Sequence, residues 1–447
     1  MSKPCSEYQH RRLMYRLQQY CTLTRTTHTS RRIQKKLGAK VPEQKRITPA
    51  AIFNGLNDRT ILSLGLTQTI GYGTLYYAYG VLAPAIAREF GSEIDWFFGV
   101  FAIGLLLGGL VAPIVGRELD RRGARTVMSL GSVLAAFALV ACATAPNKWS
   151  FSVALILAEA STCMVVYEAA FAGLTQIYQH KARHSITLIT LIAGFASTIF
   201  WPLTQWMLGA MDWRWILMLF AAIHLLVCAP LHMTALRRAI PTRLSPSQDS
   251  IRLPDAPMLR GHERRRALIL FSLAIVVSGL LTSAFPVHML RIIEGQGFSA
   301  QSAALIAMVM GPAQVLARFI EVVGGHRFDP LMTGRVALGT LLASIASLLL
   351  LPASLATAAA FAALYGAAQG LITIARATVP LQLFGINGYG TLMGRITGLR
   401  FLVNAASPFL FAFAMTHLGI NTAMWISAAV GVLAFGLFLL LRAPRQT

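Results

Sequence analysis

Two carboxylates, Glu159 and Glu168, stand inside one long apolar run, residues 150–176. An ionisable group surrounded by hydrocarbon is costly, so each needs a partner or a task. A buried glutamate open to a cavity can accept and release a coupling proton. One that pairs with an arginine, or bonds to a neighbouring helix, serves packing instead, and both roles are open for this pair. Nine residues of helix are about 2.5 turns, which puts the two on roughly opposite faces, so at most one looks squarely into a central cavity. Counted from Trp149, Glu159 falls about 15 Å along a straight helix, near the midplane, and Glu168 about 14 Å deeper.

Other groups in apolar surroundings pose the same question. Arg376, in the run 355–377, stands at a depth similar to that of Glu168. It can close an inner gate, hold an anionic substrate through paired hydrogen bonds, or reach out to lipid headgroups. The stretch Gln68-Thr-Ile-Gly-Tyr-Gly-Thr-Leu-Tyr-Tyr-Ala-Tyr79 is polar for a membrane span. Its Gln68, Tyr72, Tyr76 and Tyr79 recur at helical spacing, and lipid contact would leave their polar groups unsatisfied. The spacing predicts a cavity-lining face, with packing between helices as the alternative. Gln314, Gln369 and Asn404 are further polar positions, whereas His224, His232 and His288 have no acid placed beside them by spacing. No metal site is expected.

The elements that must carry these groups are membrane helices. The chain has 447 residues, 55% of them hydrophobic and 13% charged, with a mean hydropathy of +0.60. Runs of about 20 apolar residues suffice to cross the hydrocarbon as helices. Twelve are expected, at 61–87, 96–115, 126–145, 150–176, 186–210, 215–236, 267–290, 302–323, 333–352, 355–377, 389–415 and 422–441. The net charge of +22 falls between these runs, which leaves no basic groove for nucleic acid. Five scattered cysteines give neither a disulfide framework nor a zinc site. No Gly-xxxx-Gly-Lys-Ser/Thr loop or His-Glu-xx-His pair is present, so neither an ATP motor nor a membrane-embedded hydrolase is indicated and no cofactor is expected.

Lys and Arg cluster on one side of the expected spans, which predicts that both termini are cytoplasmic. The basic stretch 1–57 reads as an unstructured cytoplasmic extension, and a translation start at Met14 is compatible with it. The loop 237–266, with eight arginines and four prolines, divides the chain into six-helix halves at 58–236 and 267–442, followed by a short tail at 443–447. The halves echo each other faintly. Pro202 and Pro408 are 206 residues apart, and Leu174-Thr-Gln-Ile-Tyr178 corresponds to Pro380-Leu-Gln-Leu-Phe384 at the same offset. Ala317-Arg-Phe-Ile-Glu321 echoes Gly116-Arg-Glu-Leu-Asp120 at an offset of 201. Duplicated bundles of this kind place a substrate site at their interface.

Between the second and third runs lies Gly116-Arg-Glu-Leu-Asp-Arg-Arg-Gly-Ala-Arg125. With twelve spans and a basic central loop, this Gly-xxx-Asp-Arg-x-Gly-xx-Arg pattern at Gly116, Asp120, Arg121, Gly123 and Arg125 resembles the major facilitator superfamily over residues 60–442. Ala124 stands where that family usually has arginine. The resemblance implies an all-α polytopic membrane protein of twelve transmembrane helices in two pseudo-symmetric six-helix bundles. It also implies that Asp120 approaches the start of helix 11, with arginine ion pairs latching an outward-open state, and that Arg318 and Glu321 are a degenerate second copy. Tyr167-Glu-Ala-Ala-Phe-Ala172 and Gly311-Pro-Ala-Gln-Val315 are similar to bacterial members of a monocarboxylate-transporter-like subgroup. Helix 5 has Gly194 and Phe200-Trp201-Pro202 in place of the glycine-rich proline signature of drug antiporters.

The expected function is secondary transport of a small solute by alternating access, proton-coupled, with a small organic acid favoured. The expected setting is a monomer in the lipid bilayer of a bacterial inner membrane. The alternatives are a drug or metabolite efflux antiporter and a transporter-like membrane sensor.

Overall fold

The computed structural model describes residues 58–179, 182–239, 259, 261–324 and 328–443. The basic N-terminal stretch and most of the central loop lie outside the described residues. So do Lys181 and Arg327, which enter the orientation count.

Among the described residues, eleven helices are long and apolar enough to cross a membrane. They are α2 (Ile94–Arg122), α3 (Ala124–Ala143), α4 (Lys148–Tyr178), α5 (Ala182–Ala210), α6 (Trp213–Ala235), α7 (Gly261–Glu294), α8 (Gln301–Gly324), α9 (Pro330–Leu350), α10 (Leu355–Phe384), α11 (Tyr389–Leu418) and α12 (Ile420–Leu439). A twelfth, α1, runs from 59 to 89 as one continuous helical path whose glutamine, threonines and tyrosines set it apart from the apolar eleven. The chain is a twelve-helix, multi-pass membrane protein.

Local sequence explains the helix starts. Asp58 caps α1 by accepting from Thr60 N at 2.8 Å, and it also accepts from the Tyr178 hydroxyl at 2.6 Å. Asn147 with Ser150 and Ser354 with Thr357 form capping boxes at the starts of α4 and α10, equivalent places in the two halves. Gly123, at φ 83°, makes the tight corner between α2 and α3 in a conformation that a side chain would strain.

Helices α1–α6 pack around an aromatic cluster of Phe90, Trp96, Phe97, Phe151 and Trp213, and α7–α12 around Phe271, Phe285, Phe361 and Tyr365. The first bundle also buries a polar network. His232 joins Ser132 at 3.0 Å and Thr67 at 2.9 Å, while His224 meets Thr74 at 2.8 Å. These rings are structural links among α1, α3 and α6. Among the described residues, no three His, Cys, Asp or Glu side chains gather as metal ligands.

The halves meet mainly through α2 with α11, the first segment of α5 (Ala182–Ala193) with α8 and α10, and the second segment of α4 (Tyr167–Tyr178) with α11. These contacts gather at one end of the bundle, where α2 finishes and α11 begins. We call it the motif end.

Candidate functional site

At the motif end α2 and α11 approach through glycine. A Cβ at Gly398 would stand 2.6 Å from the Gly109 carbonyl, and one at Gly116 or Gly394 would overlap the opposing backbone. Close approach brings Asp120, only 6% exposed, onto the start of α11. Its Oδ1 accepts from Gly390 N at 3.0 Å and its Oδ2 from Thr391 N at 2.7 Å. Helix α11 has Gly388 at its N-cap and no capping side chain of its own, so a carboxylate from the other half fills that role. Gln176 sets the angle of the motif corner: its Nε2 donates to Leu119 O at 2.8 Å and its Oε1 accepts from Ala124 N at 2.9 Å. Gln382, its repeat partner, donates to Asp329 at the start of α9 at 2.5 Å. Both glutamines thus reach the corner between the second and third helices of their half, Gln176 through backbone atoms and Gln382 through a carboxylate.

Among the described residues, the arginines of the motif make no ion pair across the junction, unlike the latch that the resemblance implies. Arg121 and Arg122 reach Glu118 on their own helix, at 3.8 and 2.6 Å, and both are exposed. Side chains three and four apart on a helix are neighbours, so the local partner wins over a distant one. Arg125 is exposed on the first turn of α3.

The second junction, α5 with α8, uses side chains. Glu321 Oε1 accepts from Arg183 at 3.2 Å and from Thr333 at 2.9 Å, and Arg183 also donates to Phe328 O. Arg318, 3% exposed, donates to Thr190 O at 2.8 Å, where α5 breaks beside Gly194. A cation on the last carbonyls of a helix segment is the electrostatic converse of Asp120 on the first amides of another.

Between the junctions sits an ion triad. Glu168 Oε1 lies 3.2 Å from Arg376 Nη2 on α10 and 3.5 Å from Arg400 Nη2 on α11, with Thr397 Oγ1 at 3.4 Å. A break in α4 aims the carboxylate: the helix ends at Val165, Val166 is extended, and a new segment begins at Tyr167 with Glu168 in its first turn. The freed Val165 carbonyl accepts from Gln68 Nε2 at 2.8 Å. Sequence spacing, which assumes a straight helix, could not show this kink.

Glu159 is placed differently. It is fully buried against Gly104 of α2, and neither carboxylate oxygen has a hydrogen-bond partner among the described residues.

The polar face expected on α1 divides. Gln68 and Tyr79 are buried, Tyr72 is half-buried against the Tyr167 ring, and Tyr76 is 48% exposed. A π-turn at Gly73–Tyr77 lies within the stripe and adds about 100° of rotation between Tyr72 and Tyr79, so the four positions do not keep the single face that regular helical spacing predicts.

Arg183, Arg400 and the glycines of α11 were missed as site residues. Arg400 carries a readable signal, a charge in the middle of the apolar run 389–415. Arg318, Arg376 and Arg400 enter the orientation count as inner-face charges, yet they are largely enclosed at the junction of the halves.

The triad places two guanidinium groups and one carboxylate between two bundles, a suitable cradle for an anion that could alternate between sides. The sequence pattern of the Major Facilitator Superfamily matches residues 64–394, most of the chain. A gentisate transporter of Corynebacterium glutamicum is 24% identical over 448 residues, covering 92% of this chain and 94% of that protein. Monocarboxylate transporter 11 of Mus musculus is 26% identical over 254 residues, covering 56% of this chain. The match spans 55% of the mouse protein, about half its length. The fold is similar to that of the solved transporter FucP in its outward conformation, with a TM-score of 0.63 at 15% identity, covering 87% of this chain and 99% of that one. The chain belongs to the Major Facilitator Superfamily, a family of membrane transporters.

Proposed function

We propose that the protein carries small organic acids across the membrane together with protons, by rocking its two halves about the ion triad. The observation that carries this reading is the Glu168–Arg376–Arg400 bridge. Three charges from opposite halves, with a surplus of one positive charge, sit where the halves meet. Paired arginines are suited to carboxylates, because the planar guanidinium offers two parallel donors to two oxygens. The relatives handle acids by name, which supports the same substrate class.

The coupling proton is assigned to Glu168. An anion bound at the arginines changes the surroundings of Glu168 directly. Glu159, enclosed without a partner, has no such connection. The motif end is cytoplasmic in this reading, as the distribution of basic loop residues favours, both termini face the cytoplasm, and the arrangement of the halves is outward-open. Drug efflux draws no comparable support from the site. The protein should act as a monomer, since each six-helix half supplies part of one site.

The test is uptake by reconstituted liposomes of radiolabelled lactate, benzoate and gentisate, with and without an inward proton gradient. Gradient-driven accumulation of at least one acid is expected, together with its loss in Arg376→Gln. Accumulation of neutral solutes only would overturn the reading.

A further inference from the structure

Glu168 holds its arginines loosely. Charge-assisted bonds between nitrogen and carboxylate oxygen settle at about 2.7–2.9 Å, whereas these stand at 3.2 and 3.5 Å and converge on one oxygen. The Nε atoms of Arg376 and Arg400 are both buried and have no hydrogen-bond partner among the described residues. Two unused donors and a surplus positive charge therefore remain at a place already occupied by a carboxylate. A buried donor left unpaired is costly, and a free carboxylate, not tied to α4, can turn both oxygens to the arginines, which Glu168 meets through Oε1 alone.

We propose that Glu168 is the resident anion of this site, displaced by the carboxylate of an arriving substrate, so that filling the site and releasing the second segment of α4 from α10 and α11 are one event. This rests on the organic-acid reading above and adds to it a substrate-operated latch. The exchange balances. Before it, two arginines face one glutamate; after it, they face the substrate carboxylate, and Glu168 takes up one proton from the bulk solution, the proton that is carried with the substrate. The net charge of the site is the same in both states.

Among the described residues, the titratable and charged groups near Glu168 are Tyr72 on α1, Cys163 and Tyr167 on α4, Arg376 on α10, and Tyr389 and Arg400 on α11, with Thr397 donating to it. From α2 the adjoining crevice receives only Ala112, Val115, Gly116 and Leu119. The arginines are thus the cations that Glu168 and a substrate would share.

The experiment measures binding of acetate, lactate, benzoate and gentisate, each against its neutral amide, to the purified full chain, alongside hydrogen exchange of the amides at 389–397. If the glutamate occupies the arginines for nine-tenths of the time, removing it tightens carboxylate binding about tenfold. Glu168→Gln is expected to bind a carboxylate about tenfold more tightly than the wild type, and to exchange faster at 389–397 without ligand. Wild type should reach the same fast exchange only when a carboxylate is bound. Glu168→Asp keeps the charge with a shorter reach and should fall between, which separates the latch from a general loss of folding. Equal or weaker binding in Glu168→Gln would overturn the latch and leave the organic-acid reading intact. Failure of every carboxylate to bind either protein would overturn both.

Discussion

The two junctions that close the motif end are copies of one arrangement, built from different chemistry. Where α2 meets α11, backbone touches backbone: glycines allow the approach, and Asp120 bonds two amides at 3.0 and 2.7 Å. Where α5 meets α8, long side chains span the gap, with Arg183 on Glu321 at 3.2 Å and Arg318 on Thr190 O at 2.8 Å. A glycine seam tolerates no added atom, while an arginine has rotatable bonds and several donors with which to adapt. The first junction should therefore behave as a rigid stop and the second as an adjustable tie. Glu168, lying between them, is the contact that a ligand can exchange.

The sharpest way to break this contrast is to add volume to the seam. Gly394→Val places branched carbon against the Ala112 carbonyl and should reduce uptake at least tenfold, with faster alkylation of a cysteine introduced at 391. Next in size is Asp120→Asn. Charged hydrogen bonds contribute about 1.5–3 kcal/mol each, so weakening this cap should slow turnover about tenfold while substrate affinity in equilibrium binding stays near wild type. Selective loss of affinity would show that Asp120 belongs to the binding site. Glu321→Gln probes the adjustable tie, where Thr333 can still donate to the amide oxygen. A twofold to fivefold fall in uptake rate is expected, smaller than that of Asp120→Asn, and the reverse order would contradict the contrast. Glu159→Gln should change uptake and its pH dependence less than twofold, since no cation or donor addresses that carboxyl.

Much of the scaffold was legible because hydropathy responds to a solvent boundary: twelve runs became twelve helices. The family motif likewise pointed to Asp120 and the start of α11. The breaks were hidden. Val166 interrupts α4 without glycine or proline, and it is this kink, patched by Gln68, that turns Glu168 toward the other half. The π-turn in α1 likewise defeats a count based on 3.6 residues per turn. Arg400 and Arg183 counted only as inner-face charges because a basic residue on that side has two destinations, lipid headgroups or a carboxylate across the junction, and only tertiary packing chooses between them.

The central claim, that Glu168 exchanges its arginines for a substrate and carries the coupling proton, is tested most directly by transport of labelled carboxylate in liposomes, comparing wild type with Glu168→Gln. Wild type should accumulate the acid against its gradient when a proton gradient is imposed. The variant should still exchange labelled for unlabelled acid at equal pH but accumulate none. Proton-driven accumulation by Glu168→Gln at the wild-type level would contradict the account.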